Sequence, residues 1–294
     1  MVANSPAHRF GQIIGDLLEE IIAPQLQEFC NSRGYYLDKK GSRGKARKGK
    51  KVSWFDKYGN SHDLDFVIEK NGTDDEVGRP LAFIEAAWRR YTKHSRNKAQ
   101  EIQGAVLPIA EKYSWDKPFL GAVLGGVFTS NSINQMESSG FDVVLFPYAS
   151  VVAAFACVGI DAEFDEDTPD AVFQAAIERY EALDAAGRSA LERDLVERNQ
   201  KLIDEFFHNL AATLDRQIDN IVIVPLHGSS NEFEELSGAI SFVQQYQEQS
   251  TQGGPFREYE VIVKYSNGDK IEALFKDKAR TVAFLRYVSE GVGI

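Results

Sequence analysis

Near the start of the chain, apolar residues recur at the three-and-four spacing of an amphipathic helix: Ile13, Ile14, Leu17, Leu18, Ile21, Ile22 and Leu26. This predicts a first helix from about Arg9 to Asn31. Two strand-like runs follow, KVSWFDKYG and HDLDFVIEKNG, with a turn at Gly59 and Asn60, and then RPLAFIEAAW, so a three-stranded meander is expected. Beyond it the pattern reads as a helix through Tyr113, a strand in FLGAVLGGVFT, a short helix in SNSINQMESSG and a strand in FDVVLFPY. The order is therefore helix, three strands, helix, strand, helix, strand.

The pattern changes after Asp165. Thr168 and Pro169 signal a helix start. A second helix from about Gly187 to Gln217 carries Leu191, Leu195, Leu202, Phe206, Leu210 and Leu214 along one stripe, and the pair predicts a helical arm over residues 161–218. Residues 219–294 read as a small α+β module: a strand in NIVIVPL, a helix in EFEELSGAISFVQQY, a hairpin around Asn267-Gly268 and a last helix from near Asp277. The core is thus assigned to residues 1–160. The fold class expected is α/β, a mixed central sheet flanked by helices, with the arm and the C-terminal module appended.

Net charge changes this picture through its distribution. The chain carries −11 overall, yet from Lys39 to Lys98 there are 16 Lys and Arg against 8 Asp and Glu. That concentrates a positive field on one region. Its densest part, KKGSRGKARKGKK, holds Lys45, Arg47, Lys48 and Lys50 among small residues and is suited to following a phosphate backbone. The same run nearly spells a phosphate-binding loop, but Lys51 stands where a magnesium-binding hydroxyl is needed, which excludes that reading. Arg89, Arg90, Lys93, Arg96 and Lys98 form a second cationic stretch, placed on the helix after the third strand as phosphate contacts. The uncharged run Val143 to Ile160 is split by Pro147 and reads as strand then helix, so no membrane span is expected. Two cysteines, Cys30 and Cys157, and no apolar leader point to a reducing cytoplasmic setting.

Candidate chemistry lies in the acids. Side chains alternate along a strand, so Asp63 and Asp65 share one face and Glu85 and Ala87 share another. Paired in a meander, Asp65 and Glu85 would meet at the sheet edge, where two buried carboxylates repel unless a cation lies between them. Oxygen ligands with room for water and a phosphate oxygen suit Mg2+, with Mn2+ as substitute. His8, His62, His94, His208 and His227 have no metal-ligand spacing, and of these only His62 is close enough in sequence to touch the site.

An acid in the second strand, Glu-x-x at the end of the third, a following helix with NKAQE, and a strand–helix–strand continuation resemble the PD-(D/E)XK superfamily of restriction-endonuclease-like nucleases over about residues 9–155. The resemblance implies that Asp65 and Glu85 hold the metal with the Ala86 carbonyl, that Glu20 or Glu19 adds a first-helix carboxylate, and that Gln100 is the polar residue of the following helix. It implies a type II-like, Mg2+-dependent endonuclease of restriction or phage defence acting on double-stranded DNA; cleavage of both strands needs two active sites, so a homodimer through the arm or the C-terminal module is expected.

The departure is Ala87, a methyl group where the family carries the lysine that contacts the attacking water and phosphate. Three readings stay open. Ala87 replaces a natural lysine in a deliberately disabled chain, which the intact surrounding equipment favours. Alternatively, Lys93 or Lys98 supplies the charge from the helix, or the protein is a non-cleaving DNA-binding or assembly subunit.

Overall fold

The computed structural model describes residues 5–226, 228–248 and 255–291, leaving aside the side chains of residues 92–94. The chain is α/β and divides into two compact units, Met1–Lys112 with Pro118–Asn209, and Tyr113–Lys117 with Leu210–Ile294.

The first unit opens with helix α1 (Pro6–Asn31). It starts three residues before the predicted Arg9, because Ser5 caps it by accepting from the His8 N–H at 3.3 Å and Pro6 stands in the first turn. Its apolar stripe is buried from Phe10 to Cys30, each large side chain contributing roughly 1.5–3 kcal/mol on burial.

The predicted meander is corrected in two ways. Strand β1 (Tyr36–Lys39) lies outside the runs that periodicity picks out, and HDLDFVIEKNG breaks at Asp65. Before the break, β2 (Val52–Phe55) and β3 (Ser61–Leu64) form a separate hairpin, Val52 opposite Leu64. Its turn is held by Asp56 Oδ1, which accepts from the N–H groups of Tyr58 and Asn60, with Gly59 at φ +87°. After the break, β4 (Phe66–Lys70) pairs antiparallel with both β1 and β5 (Arg79–Arg89). Helix α2 (Thr92–Lys112) then leads to β6 (Phe119–Gly126), α3 (Ser130–Ser138) to β7 (Phe141–Pro147), and the five strands lie in the order β1-β4-β5-β6-β7. The last three are mutually parallel, so the central sheet is mixed, and helices flank it.

Glu85 is mid-strand, not at a strand end. β4 supports β5 only as far as Ile84, but β6 pairs with β5 from Ala82 to Arg89 and carries the strand four residues beyond Glu85. The uncharged run divides at Pro147 into the end of β7 and helix α4 (Tyr148–Cys157), and no helix among the described residues is long and apolar enough to cross a membrane.

Helices α5 (Asp170–Glu181) and α6 (Ala185–Leu214) do not form a separate arm. Phe173 of α5 sits against Phe10, centroids 6.4 Å apart, and Phe206 of α6 packs edge-on to Phe119 at 5.4 Å, so the apolar faces of both are used by the first unit, which extends to Asn209. The stripe on α6 also differs by one position: Leu202 is 39% exposed and Ile203 is buried in its place.

The second unit holds β8 (Ile218–Pro225), the short β9 (Asn231–Phe233), α7 (Leu236–Gln245), β10 (Tyr259–Tyr265), β11 (Lys270–Phe275) and α8 (Lys278–Gly291). Its antiparallel sheet has the order β11-β10-β8-β9, with the β10–β11 hairpin turning through Gly268 at φ +86°. Its core includes Ile221, Val261, Val263, Phe284 and Leu285.

Candidate functional site

The two acids expected to meet do so where β4 and β5 separate. Phe66 opposite Ile84 is the last rung of that ladder. One residue earlier the chain bends at Asp65, leaving two backbone N–H groups without a partner strand. The carboxylates take them reciprocally: the Asp65 N–H donates to Glu85 Oε1 at 3.2 Å, and the Ala86 N–H donates to Asp65 Oδ2 at 2.7 Å. Asp65 Oδ1 and Glu85 Oε2 take no part in these bonds. Asp63 is directed elsewhere, to Ser53 at 2.6 Å and Lys51 across the hairpin.

Burial sets the electrostatics. Glu85, 8% exposed, has its carboxyl raised first by desolvation and then by the Asp65 charge, against the pull of Lys98. Asp65 is raised by desolvation, and the Ala86 N–H, Lys98 and Lys40 oppose the rise. Two half-satisfied carboxylates in low dielectric are a like-charge pair that a cation would relieve.

Of the two first-helix candidates, Glu19 and not Glu20 feels the Asp65 charge. Glu19 is pushed up to about 7 by burial and then by Asp65, whereas Glu20 answers to burial, Glu192 and Asp16. The helical rows explain the difference: Glu19 lies in line with Gly15, Ile22 and Leu26 at the margin of the apolar stripe, and Glu20 lies in line with Asp16, Ala23 and Gln27. That signal is readable in the sequence. Lys40, which no spacing in the sequence singles out, opposes the rise of both Glu19 and Asp65.

Ala87 shares the face of Glu85, is 4% exposed, and lines a cleft of about 620 Å³ that Lys98 also lines. Lys98 acts electrostatically on both Asp65 and Glu85 and lies 3.5 Å from Glu101. Gln100 is exposed: two residues along a helix turn it about 200° from Lys98, so it is not brought to the site. His62 bonds Asp56 Oδ2 at 3.1 Å inside the hairpin and is likewise outside it. His227 and the side chains of Lys93 and His94 lie outside the described residues.

The basic residues divide. Lys45, Lys48, Lys50 and Arg96 are exposed. Arg47 is not available in the expected way, because its guanidinium holds Asp38 at 3.0 Å and donates to the Lys39 carbonyl at 2.8 Å. Arg89 ends β5 instead of starting a helix, donates to the Trp88 carbonyl at 2.9 Å and lies 3.7 Å from Glu101. Arg90 lies over the rings of Tyr91 and Phe173, at 4.3 and 4.5 Å.

The donor set fits a hard divalent cation held by two carboxylates, with water and substrate completing its sphere. Among the described residues, no group of three or more His, Cys, Asp or Glu side chains is arranged to hold a metal ion. Comparison of the chain with family models, with curated proteins and with solved structures finds no match.

Proposed function

We propose that the chain is a Mg2+-dependent DNA endonuclease with a PD-(D/E)XK-like core, acting on double-stranded DNA in restriction or phage defence. The observation that carries this reading is the reciprocal bonding of Asp65 and Glu85 across the split between β4 and β5, with Lys98 acting electrostatically on both. The order of elements through β7 supports it as well.

In this reading Asp65 and Glu85 hold the ion, with the Ala86 carbonyl and Mn2+ as the expected third ligand and substitute ion. A bound divalent cation supplies an activated water and neutralises charge growing on the phosphoryl oxygens. The Ala86 N–H fixes the Asp65 carboxylate so that it need not reorganise. Lys98 carries the charge that a lysine at position 87 would otherwise place near the attacked phosphate, and Glu19, raised toward neutrality, can accept or hold a proton near pH 7. Lys45, Lys48, Lys50 and Arg96 contact the flanking backbone.

Nicking of supercoiled plasmid with Mg2+ tests the reading. The chain should nick if Lys98 supplies the charge and should gain nicking on Ala87→Lys if Ala87 disables it; in either case Glu85→Gln should abolish nicking, and in the first Lys98→Ala should slow it roughly a hundred- to a thousand-fold, the cost of one such stabilising group. Ala87 favours one further reading, a non-cleaving DNA-binding or assembly subunit. Calorimetric titration separates the two: a nuclease binds Mg2+ or Mn2+ through Asp65 and Glu85, and a chain that neither binds the ion nor nicks, with or without Ala87→Lys, is not one.

A further inference from the structure

The cleft beside Ala87 is lined by two glycines that neither packing among the described residues nor backbone conformation requires. It lies between α1 and the second half of β5, and its volume of about 620 Å³ is that of a small-molecule pocket. Gly11 and Gly15 line it, one turn apart in the interior of α1, where glycine is destabilising relative to alanine. Neither has a positive φ. Among the described residues no atom lies within 4 Å of where a Cβ on Gly15 would stand, and at Gly11 the nearest is Trp88 Cδ1 at 3.6 Å, an ordinary contact. Among the described residues neither packing nor backbone conformation explains Gly15, and its missing side chain leaves the cleft open.

The lining states the occupant's chemistry. One wall is aromatic, with Trp88 and Tyr148 at 5.8 Å between ring centroids. Arg89, Arg90 and Lys98 also line the cleft together with Glu101, which lies 3.7 Å from Arg89 and 3.5 Å from Lys98, and Arg90 is steadied over Phe173. A flat, apolar-faced group attached to an anion fits such a wall and such cations, and the cleft reaches Ala86, whose N–H holds Asp65. We propose that this cleft receives one nucleotide of the bound strand, its base turned out of the stack against Trp88 and its phosphate met by Arg90, next to the phosphate at the carboxylates. This deepens the nuclease reading and rests on it.

The test is photocrosslinking of duplex DNA in which 5-iodouracil replaces thymine, bound in the presence of Ca2+, with crosslinked peptides sequenced and yields expressed per bound DNA from gel shift. The expected crosslink falls in the tract from Trp88 to Tyr91. Its yield should decline with side-chain size through Gly15→Ala, Gly15→Met and Gly15→Leu, at least tenfold by the last, in proteins shown to be folded by thermal melts. DNA bound with crosslinks only outside that tract, or with yields indifferent to residue 15, overturns the proposal while leaving the nuclease reading standing. Failure to bind DNA at all overturns the nuclease reading itself.

Discussion

At the scale of single residues, two opposing effects act on the same carboxyls. The N–H groups of Asp65 and Ala86 favour the charged forms, while burial and mutual repulsion favour the neutral ones, and burial prevails: Glu19, Asp65 and Glu85 are all raised. The consequence for stability has a definite sign. A carboxyl whose folded value exceeds its unfolded one binds more protons in the native state, so its contribution is present below the unfolded value and is lost as pH rises through the folded one. For Glu19 that window runs from 4.5 to about 7. The metal-free protein is therefore expected to melt at lower temperature as pH rises across this window, with Glu19→Gln and Glu85→Gln each flattening the decline and Mg2+ restoring stability at its upper end. Melting curves in EDTA at a series of pH values check this, and parallel curves for all three proteins would contradict it. The meeting of Asp65 and Glu85 was legible from the expected pairing of their two strands, which brings the residue before Phe66 opposite the one after Ile84, but the break at Asp65 that directs Asp63 elsewhere was not. That Glu19 and not Glu20 feels the Asp65 charge was legible too, but only by counting helical rows instead of enumerating acids.

At the scale of elements, the basic loop between β1 and β2 shows how composition misleads when partners lie far along the chain. It reads as a solvated cationic run, yet Arg43 within it is almost wholly buried, 2.9 Å from Asp38 and 2.5 Å from Glu69. Asp38 faces Arg43 from β1 and Glu69 from β4, so only the pairing of those strands reveals that one arginine closes the loop onto the sheet. A buried pair broken on one side leaves an uncompensated charge costing about 3–5 kcal/mol. Arg43→Ala is accordingly expected to lower unfolding free energy by about that amount in urea titration. Combined substitution of Lys45, Lys48 and Lys50 by alanine should leave stability within ~1 kcal/mol and instead reduce the salt dependence of DNA binding, by a slope of about 0.9 for each phosphate no longer neutralised. If Arg43→Ala is as stable as the parent, the ion cluster is not what anchors the loop. The same limit on local reading explains β5: its length is set by β6, about thirty residues on, and not by its own apolar run.

At the scale of the whole molecule, element order could be read from periodicity, but unit boundaries could not, because the second unit borrows five residues from a distant part of the chain. Tyr113–Lys117 follows α2 yet groups with Leu210–Ile294. Trp115 packs edge-on against Phe275, Phe284 and Tyr287, with centroids 5.8, 5.1 and 6.1 Å away. Asp116 accepts from the Tyr287 hydroxyl at 2.8 Å, and Arg216 donates to the carbonyls of Asp116 and Lys117 at 2.6 and 3.1 Å. A fragment that begins at Leu210 carries every strand of the unit's sheet but lacks this plug, so a C-terminal module defined by sequence alone would be incomplete. Full truncation of a buried Trp costs about 3–5 kcal/mol, and Trp115 is 42% exposed, so Trp115→Ala in the intact chain should cost roughly half of that. Hydrogen exchange at the Val261 and Val263 amides of β10 reports the unit's own stability. Protection there should fall from the intact chain to Trp115→Ala and further to the fragment, and should recover when residues 113–117 are joined to the fragment through a flexible linker. Equal protection in the fragment and the intact chain would mean that the sheet and its two helices close their core without the inserted segment.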